Sequence, residues 1–205
     1  MNYSTAIQTL KNSDPILANL IDIVGDYKLH QTQQTGDLLF SLSRAILYQQ
    51  LSTKAAAVIH NRFLQLYSEN LPTALDILNT PDDVLRGAGI SRPKVLYLKD
   101  LAEKVLDGLP SLEELQTMDD EKIIEILTPI KGIGLWTVQM LLMFRLHRLD
   151  ILPVDDLGIR AAICRLYGLA ELPKKKTVQE IGQMWKPYRT IACWYLWRSL
   201  ELKDN

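Results

Sequence analysis

The sequence predicts an all-α protein, and three observations carry that expectation. Apolar residues recur at intervals of three and four along most of the chain, the spacing of a single helix face. Capping residues and glycine stops punctuate those stretches at short intervals. No short run alternates apolar and polar residues cleanly enough to read as a strand. About ten helices with short connections are expected, with no internal repeat, long linker or low-complexity tract.

The elements follow in order. In "FSLSRAILYQQLSTKAAAVIHNRFLQLY", Leu39, Leu42 and Ile46 share one helix face, and Ile59, Phe63 and Leu66 share another. Ser52 or Thr53 between them is the expected N-cap. "NTPDDVLRGAG" supplies Thr80 as a cap, Pro81 at the first helical position, two first-turn acids and Gly87 as a stop. Ser91 opens a helix in which Val95, Leu98, Ala102 and Val105 repeat until Gly108 ends it. Ser111 and Asp119 or Asp120 cap two more. "TVQE" (Thr177–Glu180) reads as a capping box. The last helix, "PYRTIACWYLWRSLEL", is dense in aromatics, with Trp194 and Trp197 read as core residues.

Composition removes several classes of function. The chain has 205 residues, 47% hydrophobic and 23% charged, enough for one domain or two small lobes sharing a core. A formal net charge of −1 gives no global basic signature for a polyanion. Cys164 and Cys193 lie far apart in apolar helical patterns and read as reduced core residues. His30, His60 and His147 show no ligand spacing, so neither a zinc site nor a cysteine-ligated iron–sulfur cluster is expected. "MNYSTAIQTL" lacks a charged n-region followed by an apolar stretch, so no signal peptide is expected, and no apolar run approaches the roughly 20 residues needed to cross a bilayer. The run "KKK" (Lys174–Lys176) reads as a solvated loop.

The most informative stretch is "PIKGIGLWTVQMLLMF" (residues 129–144), followed by "LPVDDLGIR" (residues 152–160). Gly132 and Gly134 allow positive φ and leave outward-facing amides where the next helix begins. Those amides and the helix dipole can hold a phosphate oxygen without net basic charge, with Lys131 adding one cation. On these residues alone, an ordinary helix–helix corner with a glycine C-cap explains the turn as well. Asp156 sits where it can cap the helix "LGIRAAICRLYG".

Taken together, Pro129, Ile130, Gly132-Ile133-Gly134, Thr137 and the Pro-x-x-Asp loop resemble the helix-hairpin-helix-Gly/Pro-Asp DNA glycosylase superfamily. The resemblance implies two helical lobes with a DNA-binding cleft between them: residues 37–148, with the hairpin at about 123–144, and residues 1–36 plus 149–205. It implies that the hairpin turn (Lys131, Gly132, Gly134, Thr137) grips the DNA backbone. It implies Asp156 rather than Asp155 as the catalytic acid, because Ile159 and Arg160 follow at the family's spacing. A fixed carboxylate near the anomeric carbon can stabilise oxocarbenium character and orient or deprotonate the attacking water.

The branch follows from position 136. Where bifunctional relatives carry a Schiff-base lysine, this chain has Trp136, so hydrolysis without strand cleavage is expected. An aromatic there is similar to the DNA-3-methyladenine glycosylase II, or alkylpurine, branch. Its substrates are electron-poor, often cationic bases that stack on aromatic faces and leave readily. "WKPYRTIACWYLWR" resembles that branch further and places Tyr188 and Met140 with Trp136 in the base pocket. "AILYQQLSTKAA" places Gln50 where the family inserts a side chain into the stack of a flipped base. "DPILANLIDIVG" (residues 14–25) resembles the branch's N-terminal helix. Damaged double-stranded DNA is the expected partner, with a monomeric, intracellular protein, cytoplasmic in a prokaryote and nuclear in a eukaryote. No cofactor or metal is expected, a monovalent cation in the hairpin being left open. Other bases (hypoxanthine, ethenoadenine, a mismatched pyrimidine) and a non-catalytic lesion-binding role are the alternatives.

Overall fold

The computed structural model describes residues 3–29, 35–67 and 71–202, and these form helices and connections without a strand. His30 lies outside the described residues. The chain divides into two compact units, Gln34–Val138 and the discontinuous Met1–Gln33 with Gln139–Asn205. The second boundary falls within a helix, ten positions before residue 148, where the sequence reading places it.

The continuous unit holds α3 (Leu38–Tyr48), α4 (Thr53–Leu64), α5 (Ala74–Asn79), α6 (Asp82–Gly87), α7 (Arg92–Leu106), α8 (Leu112–Gln116) and α9 (Asp120–Leu127). Its centre is α7, which packs against α3, α5 and α6. Leu42 and Ile46 from α3 are buried with Ile77, Leu85, Leu98 and Leu101, so the expected α3 face is the core face. The α4 face is shorter than expected. Ser52 caps this helix by accepting from the Ala55 amide, and the helix stops at Leu64, which leaves Leu66 exposed. The cap before α6 also differs. Thr80 donates its hydroxyl back to Asp76 O and finishes α5, while Pro81 occupies the N-cap position. Ser111 and Glu114 form a capping box on α8, and Asp119 begins α9 without a side-chain cap bond.

The discontinuous unit holds α1 (Ser4–Ser13), α2 (Pro15–Val24), α11 (Leu157–Leu166), α12 (Lys175–Ile181), a short 3-10 helix (Gly182–Trp185) and α13 (Arg189–Ser199). Between the units' main bodies in sequence runs α10 (Leu135–Phe144), inside which the division falls. Every residue of α13 from Thr190 to Leu196 is buried, the signature of a central helix, and α2, α11 and α1 pack on it. The sequence reading lacks α1, which buries only Ala6 and Leu10 and so carries a weak periodic signal. Asp14 joins α1 to α2. Its carboxylate accepts from the Ile16 and Leu17 amides, from Trp185 Nε1 at 2.8 Å, and from the Tyr167 hydroxyl. A carboxylate 1% exposed needs such partners to remain inside.

"TVQE" is not a capping box. The helix already starts at Lys175, because Pro173 is buried and its carbonyl accepts from Arg160 Nε, so the chain turns immediately afterwards. "KKK" is therefore no loop: Lys174 is the N-cap and Lys175 and Lys176 are helical. Cys193 is fully buried, and burial pushes its thiol well above the ordinary range; Cys164 is only partly buried.

Candidate functional site: the hairpin turn and the Asp156 loop

In the continuous unit, α9 ends at Leu127 and the chain reaches α10 through the glycine turn. Gly132 has φ of 81°, a left-handed conformation that only glycine adopts without strain. A Cβ there would lie 2.4 Å from the Tyr97 ring. Gly134 differs from expectation: its φ is not left-handed, and a Cβ would meet nothing within 4 Å. The amides of Lys131 and Ile133 are used internally, by Asp100 Oδ2 at 2.9 Å and Ile130 O at 3.0 Å. The Gly134 and Leu135 amides stand at the start of α10, where an intrahelical acceptor does not exist.

Asp100 does more than accept one amide. It also pairs with Lys131 Nζ at 2.9 Å. Burial opposes its ionisation, but the hydrogen bonds and charge of Lys131, with Lys104 further off, hold its carboxyl below the usual range. The same pairing raises Lys131. Lys131 is thus a paired cation rather than an independent one. Thr137 is buried, 6% exposed, which leaves it little surface for a DNA contact.

A second loop is fastened to this turn. Gln50 is exposed and has φ of 57°, one of two non-glycine residues in the left-handed region among those described. Beside it, Gln49 donates its side-chain amide to Gly132 O at 2.7 Å. Lys94 Nζ donates to Leu47 O at 2.9 Å and Gln49 O at 2.8 Å, closing the end of α3. Backbone held in a sparsely populated conformation persists only where its surroundings over-determine it, and such positions gather at ligand clamps.

In the discontinuous unit, Asp156 is the N-cap of α11. Its Oδ1 accepts the Ile159 amide at 2.8 Å and the Trp197 indole N–H at 2.9 Å. The Trp197 ring stacks on Phe144 with centroids 5.8 Å apart. Trp197 is therefore half-buried and bonded to Asp156, not a core residue; Trp194, 9% exposed, is one. Asp155 is exposed and pairs with Lys175 Nζ at 2.7 Å.

The segment leading to Asp156 is pinned by α13. Arg189 grips the Asp150 carboxylate bidentately, Nε to Oδ1 at 2.6 Å and Nη2 to Oδ2 at 3.0 Å. Thr190 donates to Arg148 O and accepts the Ile151 amide. A planar guanidinium fork fixes its partner in direction as well as distance. The "YRT" stretch thereby holds residues 148–151, and Leu152-Pro153 lead from them into the acid.

Trp136 belongs to the continuous unit and is 45% exposed; Met140 and Tyr188 belong to the other and are partly buried. A 390 Å³ groove beside Pro15, Leu20, Arg165 and Leu202 lies at the other end of α11 and contains none of these residues. Sequence reasoning overlooked Asp100, Gln49 and Lys94, and placed Trp197 in the core. A signal existed for Asp100, a charge set within the buried Leu98–Leu101 face of α7, and for Trp197, whose N–H needs an acceptor when covered.

A glycine-shaped hairpin followed by an acid-bearing helix start defines a class. Residues 43–187 match the family described as HhH-GPD superfamily base excision DNA repair protein, and the chain belongs to that superfamily. It is 39% identical over 197 residues, 95% of this chain and 86% of the other, to DNA-3-methyladenine glycosylase 1 of Schizosaccharomyces pombe. Among solved structures it matches the S. pombe 3-methyladenine DNA glycosylase (Mag1) in complex with abasic DNA, with TM-score 0.90 and 38% identity over 98% of this chain and 99% of that one. It also matches a DNA-3-methyladenine glycosidase from Bacillus halodurans, with TM-score 0.85 and 38% identity over 96% of this chain and 89% of that one.

Proposed function

We propose that this protein is a monofunctional DNA glycosylase that hydrolyses the N-glycosidic bond of alkylated purines such as 3-methyladenine, leaving an abasic site in double-stranded DNA. The observation that carries the reading is Asp156, a carboxylate anchored at a helix start by two donors, in a chain so similar to 3-methyladenine glycosylases. In the reaction, bond cleavage builds positive charge on the sugar, and a carboxylate already fixed in place stabilises that charge without reorganising. The same carboxylate orients or deprotonates the attacking water. The alkylated base leaves without a protein acid, since its ring already withdraws electrons. Trp136, Met140 and Tyr188 offer it stacking and apolar surface. Gln50 fills the space the base vacates, and the amides of Gly134 and Leu135 take a backbone phosphate.

Hydrolysis with water as co-substrate requires no cofactor. The protein acts as a monomer in the compartment that holds the genome. No described helix is long and apolar enough to cross a membrane. The test is a single-turnover assay on duplex DNA methylated at purines, run with and without borohydride. Release of free alkylated base, strand breaks only after alkali or heat, and no trapped adduct are expected, because position 136 offers no amine. A trapped protein–DNA adduct would refute hydrolysis; preferential release of hypoxanthine or a mismatched pyrimidine would move the assignment to another base.

A further inference from the structure

We infer that Trp197 is a positioning residue for the excision reaction, acting through Asp156, an inference that rests on the catalytic reading of Asp156. Two donors reach the same carboxylate oxygen from different directions. The Ile159 amide comes from the first turn of α11, and the indole N–H comes from α13, 41 positions along the chain. One hydrogen bond leaves a carboxylate free to rotate about its Cα–Cβ and Cβ–Cγ bonds; a second, from a separate helix, fixes its plane. The indole is itself fixed. Its ring is stacked on Phe144 at an interplanar angle of 26°, and it lies against Gly158, where an added Cβ would be 3.0 Å from Trp197 Cδ1 and 3.1 Å from Asp156 Oδ1. Glycine at 158 gives the indole and the carboxylate room to meet. A core role for Trp197 would need only its apolar ring, whereas here the single polar atom of the side chain is aimed at the reacting group.

Trp197→Phe keeps the stack on Phe144 and removes only the donor. In single-turnover excision of 3-methyladenine it should lower the rate constant roughly ten- to a hundredfold, the range for losing a hydrogen bond to a charged group. It should remain folded at the assay temperature, and its affinity for abasic duplex should match that of the parent. The decisive readout is a double-mutant cycle. On an Asp156→Asn background, Trp197→Phe should cost little further rate, because it acts only through the missing carboxylate. A loss of equal size on both backgrounds would mark Trp197 as merely structural and overturn the inference, as would a Trp197→Phe enzyme as fast as its parent. Failure of the catalytic reading looks different: Asp156→Asn alone would then excise at the parental rate. Should Trp197→Phe fold poorly, Phe144→Leu loosens the indole from its other side. It should slow excision in the parent and have no added effect with Asn at 156; full activity in that variant would oppose the inference.

Discussion

The hairpin turn and the Asp156 loop are shaped by opposite means. The turn is set locally, by a glycine whose φ of 81° and contact with Tyr97 exclude any side chain. Its ties then reach to α3 and α7 through Gln49, Lys94 and Asp100. The acid loop has one left-handed residue, His147 with φ of 53°, near its start, and none beside the acid itself. α13 supplies several of its ties, through Arg189 on Asp150, Thr190 on Arg148 and Ile151, and Trp197 on Asp156. On the proposed reading the turn grips a phosphate, which needs amides at one place, and a glycine makes room for them. A reacting carboxylate needs direction, and direction requires side chains converging from elsewhere.

The largest expected effect separates the two adjacent acids of that loop. Asp156→Asn should reduce single-turnover excision roughly a hundredfold or more, the scale for removing a group matched to transition-state charge. Binding of abasic duplex should persist. Asp155→Asn should change the rate by less than about twofold, because its exposed pair with Lys175 is worth about 1 kcal/mol at most. Parallel assays of the two variants decide it, and the reverse pattern would reassign the reacting acid.

A smaller effect distinguishes the two glycines of the turn. Gly132→Ala should destabilise folding by about 2 kcal/mol, read as a lower denaturant midpoint, since it meets both the left-handed backbone and the Tyr97 ring. Gly134→Val should leave stability nearly unchanged, because open space surrounds it. It should still weaken binding to every duplex alike, by crowding the amides offered to phosphate. A Gly134→Val protein that binds abasic DNA like its parent would reduce the turn to a corner between helices.

These contrasts follow what a single sequence carries. The all-helical class, the α3 core face, the Ser52 cap and the position of Asp156 at the head of α11 all arise from local periodicity and capping chemistry, so the letters reveal them. What remained hidden depends on residues distant in sequence. Nothing local marks Gln49 as different from Gln50, although one ties the loop to Gly132 and the other carries the left-handed backbone. Trp197 and Trp194 lie three apart on one helix; one donates to Asp156, while the other packs against Tyr27 and Tyr195. "TVQE" has the pattern of a cap, yet the buried Pro173 upstream decides where α12 begins.

The smallest expected effect concerns Lys131, the cation of the hairpin. Its ammonium is shared with Asp100, so it is a poorer counterion for phosphate than an unpaired lysine. Each phosphate neutralised by a cation steepens the dependence of log affinity on log salt by about 0.9. Lys131→Ala should therefore flatten that slope by less than one such step and weaken binding less than Gly134→Val does. Asp100→Asn works in the opposite sense, removing the charge that holds the ammonium and leaving only a weaker, neutral amide oxygen to accept the Lys131 N–H. Its slope should steepen even as the turn loses stability. The contribution of Asp100 to stability has a fixed sign with pH. Because its folded carboxyl lies below the unfolded value, that stability is fully present above the ordinary carboxylate range and is lost as pH falls through the lower folded value. Fluorescence anisotropy across a salt series on an Asp156→Asn background, which prevents turnover, measures the slopes. If Lys131→Ala removes a full unit or more, the ammonium rather than the amides grips the phosphate, and the glycine turn serves to aim that one charge.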